Sequence, residues 1–120
     1  MSDAVLHFPL SEYDDRIART RDAMAARGID LIIISDPSNM CWLTGYDGWS
    51  FYVHQAVLLS LEGEPVWWGR AMDGNGAKRT AFMDHGNIEG YPDHYVQSVE
   101  RHPMDHLSGL IEQRGWDKGR

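Results

Sequence analysis

The stretch from Gly28 to Gly45 constrains the fold most. It reads Ile29-Asp30-Leu31-Ile32-Ile33-Ile34 between Gly28 and the turn-forming Asp36-Pro37-Ser38-Asn39. Such a run is too short for a helix, and its β-branched residues are too apolar for a strand with one face in water. It predicts a central strand covered on both faces, and therefore a sheet flanked by helices.

The segments around this strand fit such a sheet. Upstream, Ser11 is placed to cap a helix over Glu12–Arg27, with Glu12, Asp14 and Asp15 at the dipole's positive end. Tyr13, Ile17, Thr20 and Met24 recur at three- and four-residue steps, and Arg16, Arg19 and Asp22 fall on the other side. Gly28 supplies the left-handed residue that ends the helix. Downstream, Met40–Leu43 reads as a second short strand ended by Thr44-Gly45, with Asn39 and Gly45 in structural turn roles. Phe51–Leu61 and Pro65–Arg70 read as strands joined by Glu62-Gly63-Glu64 into an antiparallel hairpin. A short helix is expected from about Gly76, a fifth strand over Asn87–Tyr91, and a weak helix over Tyr95–Glu100. Pro103 opens a last helix running to Arg114, with Gly115 at its end. This order predicts an α/β fold in which a mixed β-sheet is covered by helices. Trp116–Arg120 then follow a helix terminus as a helix-to-strand connection would, so the sequence is expected to stop short of a domain boundary.

A length of 120 residues holds one domain. Its net charge of −7 would repel a phosphate backbone, so nucleic acid is not an expected partner. The longest uninterrupted apolar runs fall far below the roughly 20 residues that cross a bilayer, so no membrane span is expected. Cys41 is the single cysteine and allows no internal disulfide. With no basic-then-apolar leader before Ser11, the expected compartment is the cytoplasm.

Candidate chemistry is sparse. His102 and His106 stand four apart, but Pro103 puts His102 at or before the helix start, and surface histidines are the simpler reading. Asp84-His85 and Asp93-His94 lack a third ligand, so no metal site is assigned. Gly74-Asn75-Gly76 before Lys78 reads as a tight strand-to-helix turn rather than a phosphate loop. Cys41 has no neighbouring base and reads as a buried structural thiol. No catalytic residue can be assigned. The remaining feature is aromatic: Trp42, Trp49, Trp67 and Trp68 are four of the five tryptophans, and Tyr46, Trp49, Phe51 and Tyr52 crowd the loop between Gly45 and His54. Core burial accounts for most of these rings. Alternation along a strand still leaves one of Trp49, Phe51 and Tyr52 outward, which suggests a binding or subunit surface.

Asp36-Pro37-Ser38-Asn39-Met40 followed by Trp42-Leu43-Thr44-Gly45-Tyr46 resembles the signature of creatinase and prolidase N-terminal domains. Tyr13–Ile17 and Met24–Asp30 are similar to that family's first helix and its exit. Within the family, Gly45–Gln55, Gly63–Arg70, Asp73, Gly76–Thr80 and Gly90–Asp93 resemble the ectoine hydrolase branch most, with Xaa-Pro peptidases next. The resemblance implies that residues 1–120 form one N-terminal domain, followed in the parent enzyme by a catalytic domain of pita-bread fold. It further implies a C–N bond hydrolase acting on a small molecule, a homodimer, and a domain with no chemistry of its own. No cofactor is expected in this chain, and any divalent metal would belong to the catalytic domain. A loop of this domain would reach the partner's active site, with Phe51 matching an aromatic of creatinase in that role and Trp49 and His54 as weaker substrate-binding candidates. Creatinase follows that aromatic with an arginine; Val53 and His54 stand here instead, which argues against creatine as substrate. Two alternatives remain: an N-terminal domain of an Xaa-Pro dipeptidase or aminopeptidase, and a stand-alone, non-enzymatic binding or dimerisation domain.

Overall fold

A computed structural model describes residues 4–48, 53–95 and 100–119. Helix α1 spans Leu10–Ala26, two residues earlier at its start than the sequence suggests. Ser11 is not its cap: Pro9 holds that position with no side-chain bond, and the Glu12 N–H closes the first turn on the Pro9 carbonyl at 3.0 Å. At the other end Gly28, at φ +66°, donates to Ala25 O while Ile29 donates to Met24 O at 2.9 Å, which satisfies two terminal carbonyls and turns the chain. Tyr13, Ile17 and Met24 are buried as their spacing predicts, and so is Arg16, which the periodicity had placed in solvent. Its guanidinium lies against the rings of Phe8, Tyr13 and Trp42 and donates to Trp42 O at 2.6 Å, so rings and a helix-end carbonyl shelter the charge.

Strand β1 (Leu31–Ile34) is followed not by a second strand but by helix α2 (Pro37–Thr44). Both of its ends are specified locally. Asp36 Oδ2 accepts from Asn39 N–H at 3.1 Å, Pro37 occupies the first turn, and Gly45 at φ +84° donates to Cys41 O at 2.8 Å. The hairpin is present as strands β2 (Ala56–Ser60) and β3 (Val66–Arg70), so β2 begins five residues later than the expected Phe51 start. Helix α3 (Ala71–Thr80) leaves β3 directly and contains Gly74 and Gly76 within it, rather than starting at Gly76. A short 3-10 turn at His85–Asn87 leads to strand β4 (Ile88–Tyr91). At the expected weak helix, Asp93–Tyr95 form one 3-10 turn, and residues 96–99 lie outside the described residues. Helix α4 spans Pro103–Gln113.

The sheet has the order β1-β2-β3-β4: β2 is antiparallel to β1 and to β3, and β4 is parallel to β3. The mixed sheet is as expected, but β1 lies at an edge of the described sheet rather than in its centre. Alternation divides the strands between two cores. Ile32, Ile34, Val57, Leu59 and Trp67 pack with Tyr13, Met24, Met40, Leu43 and Ala77 of the first three helices. On the opposite face Leu31, Ala56, Leu58, Val66, Trp68 and Tyr91 pack with Leu107 and Leu110 of α4. A single helix thus covers this second face, and Ile33 at its margin stays 47% exposed.

Candidate functional site

An open groove of about 470 Å³ runs where α4 meets the β1 side of the sheet, walled by Ile33, Pro37, Trp68, Met104 and Leu107 and approached by Val53 and His54. A larger groove of about 770 Å³, between α1 and the β2–β3 turn, is lined by residues read from the sequence as structural, Asp14, Ile17 and Gly63 among them, and not by His54. Its Arg21 is engaged with the Ser60 and Gly63 carbonyl oxygens.

His54 lines the first groove, and two further histidines, His102 and His106, contact residues of its lining. His54, one of the predicted binding residues, is exposed at its mouth, and its backbone carbonyl accepts from the Tyr91 hydroxyl at 2.7 Å. Burial and, secondarily, the Asp73 charge push the Tyr91 phenol up from its ordinary value, which keeps it a donor. The His54 ring meets His102 edge-on at 4.9 Å and 84°. Burial first, and the His102 charge second, lower the His54 pKa, so this imidazole is neutral near pH 7. His102 caps α4: its Nδ1 accepts from Met104 N–H at 3.0 Å, while Asp105 Oδ2 accepts from the His102 N–H at 3.3 Å. His106 Nδ1 accepts from Trp68 Nε1–H at 3.1 Å, fixing the indole that forms the groove's wall.

Trp49 and Phe51, the other predicted binding residues, lie outside the described residues. Tyr46, counted with them in the aromatic loop, is core instead. It is buried with its hydroxyl donating to Gln55 Oε1 at 2.8 Å, and burial, with the Asp73 charge second, pushes its pKa up to about 12. Cys41 is half-buried on α2, and burial first and the Asp47 charge second raise its thiol, which opposes use as a nucleophile. Asp93 pairs with Arg70 at 2.9 Å. Among the described residues no group of three or more His, Cys, Asp or Glu is placed to hold a metal ion, and no helix is long and apolar enough to cross a membrane. The groove offers apolar walls and, in His54, one neutral imidazole, which suit binding and positioning. Trp68, Tyr91 and His106 escaped sequence reasoning because they meet only through the sheet; Asp105 three residues after His102 was the available sign of a cap.

Comparison with known proteins agrees with this architecture. Residues 16–119 match the creatinase/prolidase N-terminal domain family. The chain is 61% identical over 120 residues to ectoine hydrolase of Halomonas elongata, covering 99% of this chain and 30% of that protein. It is 39% identical over 108 residues to the hydrolase/peptidase y4tM of Sinorhizobium fredii, covering 89% of this chain and 28% of that protein. The chain therefore spans about a third or less of the curated relatives it matches. In structure it resembles a proline dipeptidase from Streptococcus pneumoniae, with a TM-score of 0.66 over 82% of this chain and 66% of that one, at 17% identity. That likeness shows the fold, and the family match shows the lineage: the chain belongs to the creatinase/prolidase N-terminal domain family.

Proposed function

We propose that the chain is the N-terminal, dimer-forming and substrate-pocket-shaping domain of a cytoplasmic C–N bond hydrolase acting on ectoine, and that it performs no chemistry alone. The observation that carries this reading is the 61% identity to ectoine hydrolase along almost the whole chain. The dipeptidase likeness, at 17% identity, favours no substrate. Catalysis is assigned to the part of the parent enzyme outside these residues, together with any divalent metal it uses. The single cysteine supports the compartment.

Phe51, with Trp49 and His54 in supporting roles, is assigned to contact substrate in the other subunit. The aromatic density of Trp49–Tyr52 and the placement of His54 beside an apolar groove support this. A flat ring packed on a small cyclic substrate excludes water and fixes orientation, so its loss costs about 1–3 kcal/mol, or roughly ten- to a hundredfold in rate. In the full-length enzyme, Phe51→Ala should lower kcat/KM for ectoine by that factor while leaving folding and dimerisation intact. Mixed dimers locate the effect. With Phe51→Ala in one subunit and an inactivated catalytic domain in the other, crossed action preserves one working site. Activity as low as that of the Phe51→Ala homodimer would contradict the assignment.

A further inference from the structure

We propose that Gln55, Trp67 and Asp73 enclose a site for a single buried water molecule, which ties the base of the 47–54 segment to the start of α3.

Three side-chain atoms define it. Gln55 Nε2, Trp67 Nε1 and Asp73 Oδ2 are shut off from solvent, and none has a hydrogen-bond partner among the described residues. Buried polar groups are paired in nearly every folded protein, because an unmade bond forfeits hydration and gains nothing. Here the three are complementary, two donors and one acceptor. Water matches that set: it accepts from the amide and the indole, donates to the carboxylate, and when buried commonly makes about three such bonds.

The fold brings the three side chains to one place. The pairing of Ala56 with Trp68, continued by one residue, sets Gln55 opposite Gly69. A Cβ on Gly69 would lie 2.7 Å from Trp67 Cζ2 and 3.3 Å from Gln55 Cβ, so Gln55 and the indole edge that carries Nε1 share the space this glycine leaves. Asp73 stands in the first turn of α3, whose Gly74 packs on the same indole: a Cβ there would meet Trp67 Cζ3 at 3.7 Å. The Tyr46 ring lies 5.3 Å from that of Trp67, and after burial the Asp73 charge is the next cause of its raised pKa, with the Trp67 N–H acting against both.

Direct pairing does not satisfy these atoms. The Tyr46 hydroxyl has one proton and gives it to Gln55 Oε1 at 2.8 Å, so Asp73 Oδ2 needs another donor. The amide nitrogen and the indole nitrogen are both donors and cannot serve each other. Burial fixes the size of the occupant, since Tyr46, Gln55 and Trp67 are 2%, 6% and 0% exposed and the site is closed within the folded chain. Its consequence is local. Tyr46 and Gln55 bracket residues 47–54, whose ends are also held by the Asp47 N–H on Thr80 Oγ1 at 3.2 Å and the Tyr91 hydroxyl on His54 O at 2.7 Å. The water adds a tie from Gln55 to α3. The site stands on these atoms alone; only its value to substrate binding rests on the function proposed above.

A high-resolution crystal structure of the 120-residue chain tests this directly. One fully occupied water should lie about 2.7–3.2 Å from all three atoms. In solution, oxygen-17 relaxation dispersion counts the waters held for longer than the protein takes to tumble. Asp73→Leu, which removes the acceptor, should lose the contribution of one such water, and Asp73→Asn, which keeps an acceptor oxygen, should retain it. Direct bonding of Asp73 to Gln55 or Trp67, an empty or solvent-open space between them, or a dispersion that Asp73→Leu leaves unchanged would each overturn the site. Where Asp73→Leu does not fold, the wild-type crystal decides alone. Neither measurement reads activity, so a full-length protein that fails to hydrolyse ectoine would contradict the proposed function and leave the water site standing.

Discussion

Gly45 sits at φ +84°, and a Cβ on it would lie 2.8 Å from the Thr80 carbonyl oxygen. Two independent obstacles, backbone strain and contact with α3's last carbonyl, therefore meet at one atom. Gly45→Val should destabilise the fold by about 1–3 kcal/mol, read as a lowered Tm, and an unchanged Tm would contradict this account of the turn. The need for glycine here was legible in the sequence, because Gly45 was expected to end an element in a turn that a side chain would obstruct or strain. The neighbouring α3 carbonyl was not, since it lies 35 positions away in the chain. Arg16 shows the same limit from the other side. Its spacing marks a solvent face, and only the convergence of Phe8, Tyr13 and Trp42 makes a buried guanidinium favourable.

At the scale of elements, Met40–Leu43 shows how an apolar run misleads. Four apolar residues fit a strand as well as one turn of a buried helix, and composition cannot separate them. The flanks decide: Asp36 caps and Gly45 closes, each through a hydrogen bond within four residues, and Pro37 opens the first turn with its fixed φ and missing N–H. Asp36→Ala should accordingly cost about 1 kcal/mol and reduce protection of the α2 amides. A loss confined to other elements would show that the cap is dispensable. β1 errs differently. Its residues read as central because both faces are apolar, and both faces do contribute to cores, with Ile32 and Ile34 on one side and Leu31 on the other. Apolar faces report coverage above and below a strand, not neighbours beside it, so an edge position leaves the same pattern. The hairpin, β4 and α4 were legible because their signals, a Gly-containing link, a short bounded run and Pro103 with a heptad-like apolar face, are local.

For the molecule as a whole, the layered α/β class was readable because each helix and strand advertises its apolar face, and the two cores follow from alternation across one sheet. The groove was not readable. It arises where α4 leaves part of the second face uncovered, and its lining draws on positions as distant as Ile33, His54, Trp68 and Leu107, which only the sheet brings together. Function lies on a further level, because the pocket-shaping role proposed for this domain would leave little catalytic signature of its own, and the assignment depends on how well this chain substitutes for its relative. The direct measurement is an exchange: replace the matching N-terminal segment of Halomonas elongata ectoine hydrolase with these 120 residues and assay ectoine hydrolysis. The account predicts a dimeric chimera with kcat/KM within about tenfold of the parent, lowered roughly ten- to a hundredfold further by Phe51→Ala in the inserted segment. A chimera that folds and dimerises but does not hydrolyse ectoine would contradict it.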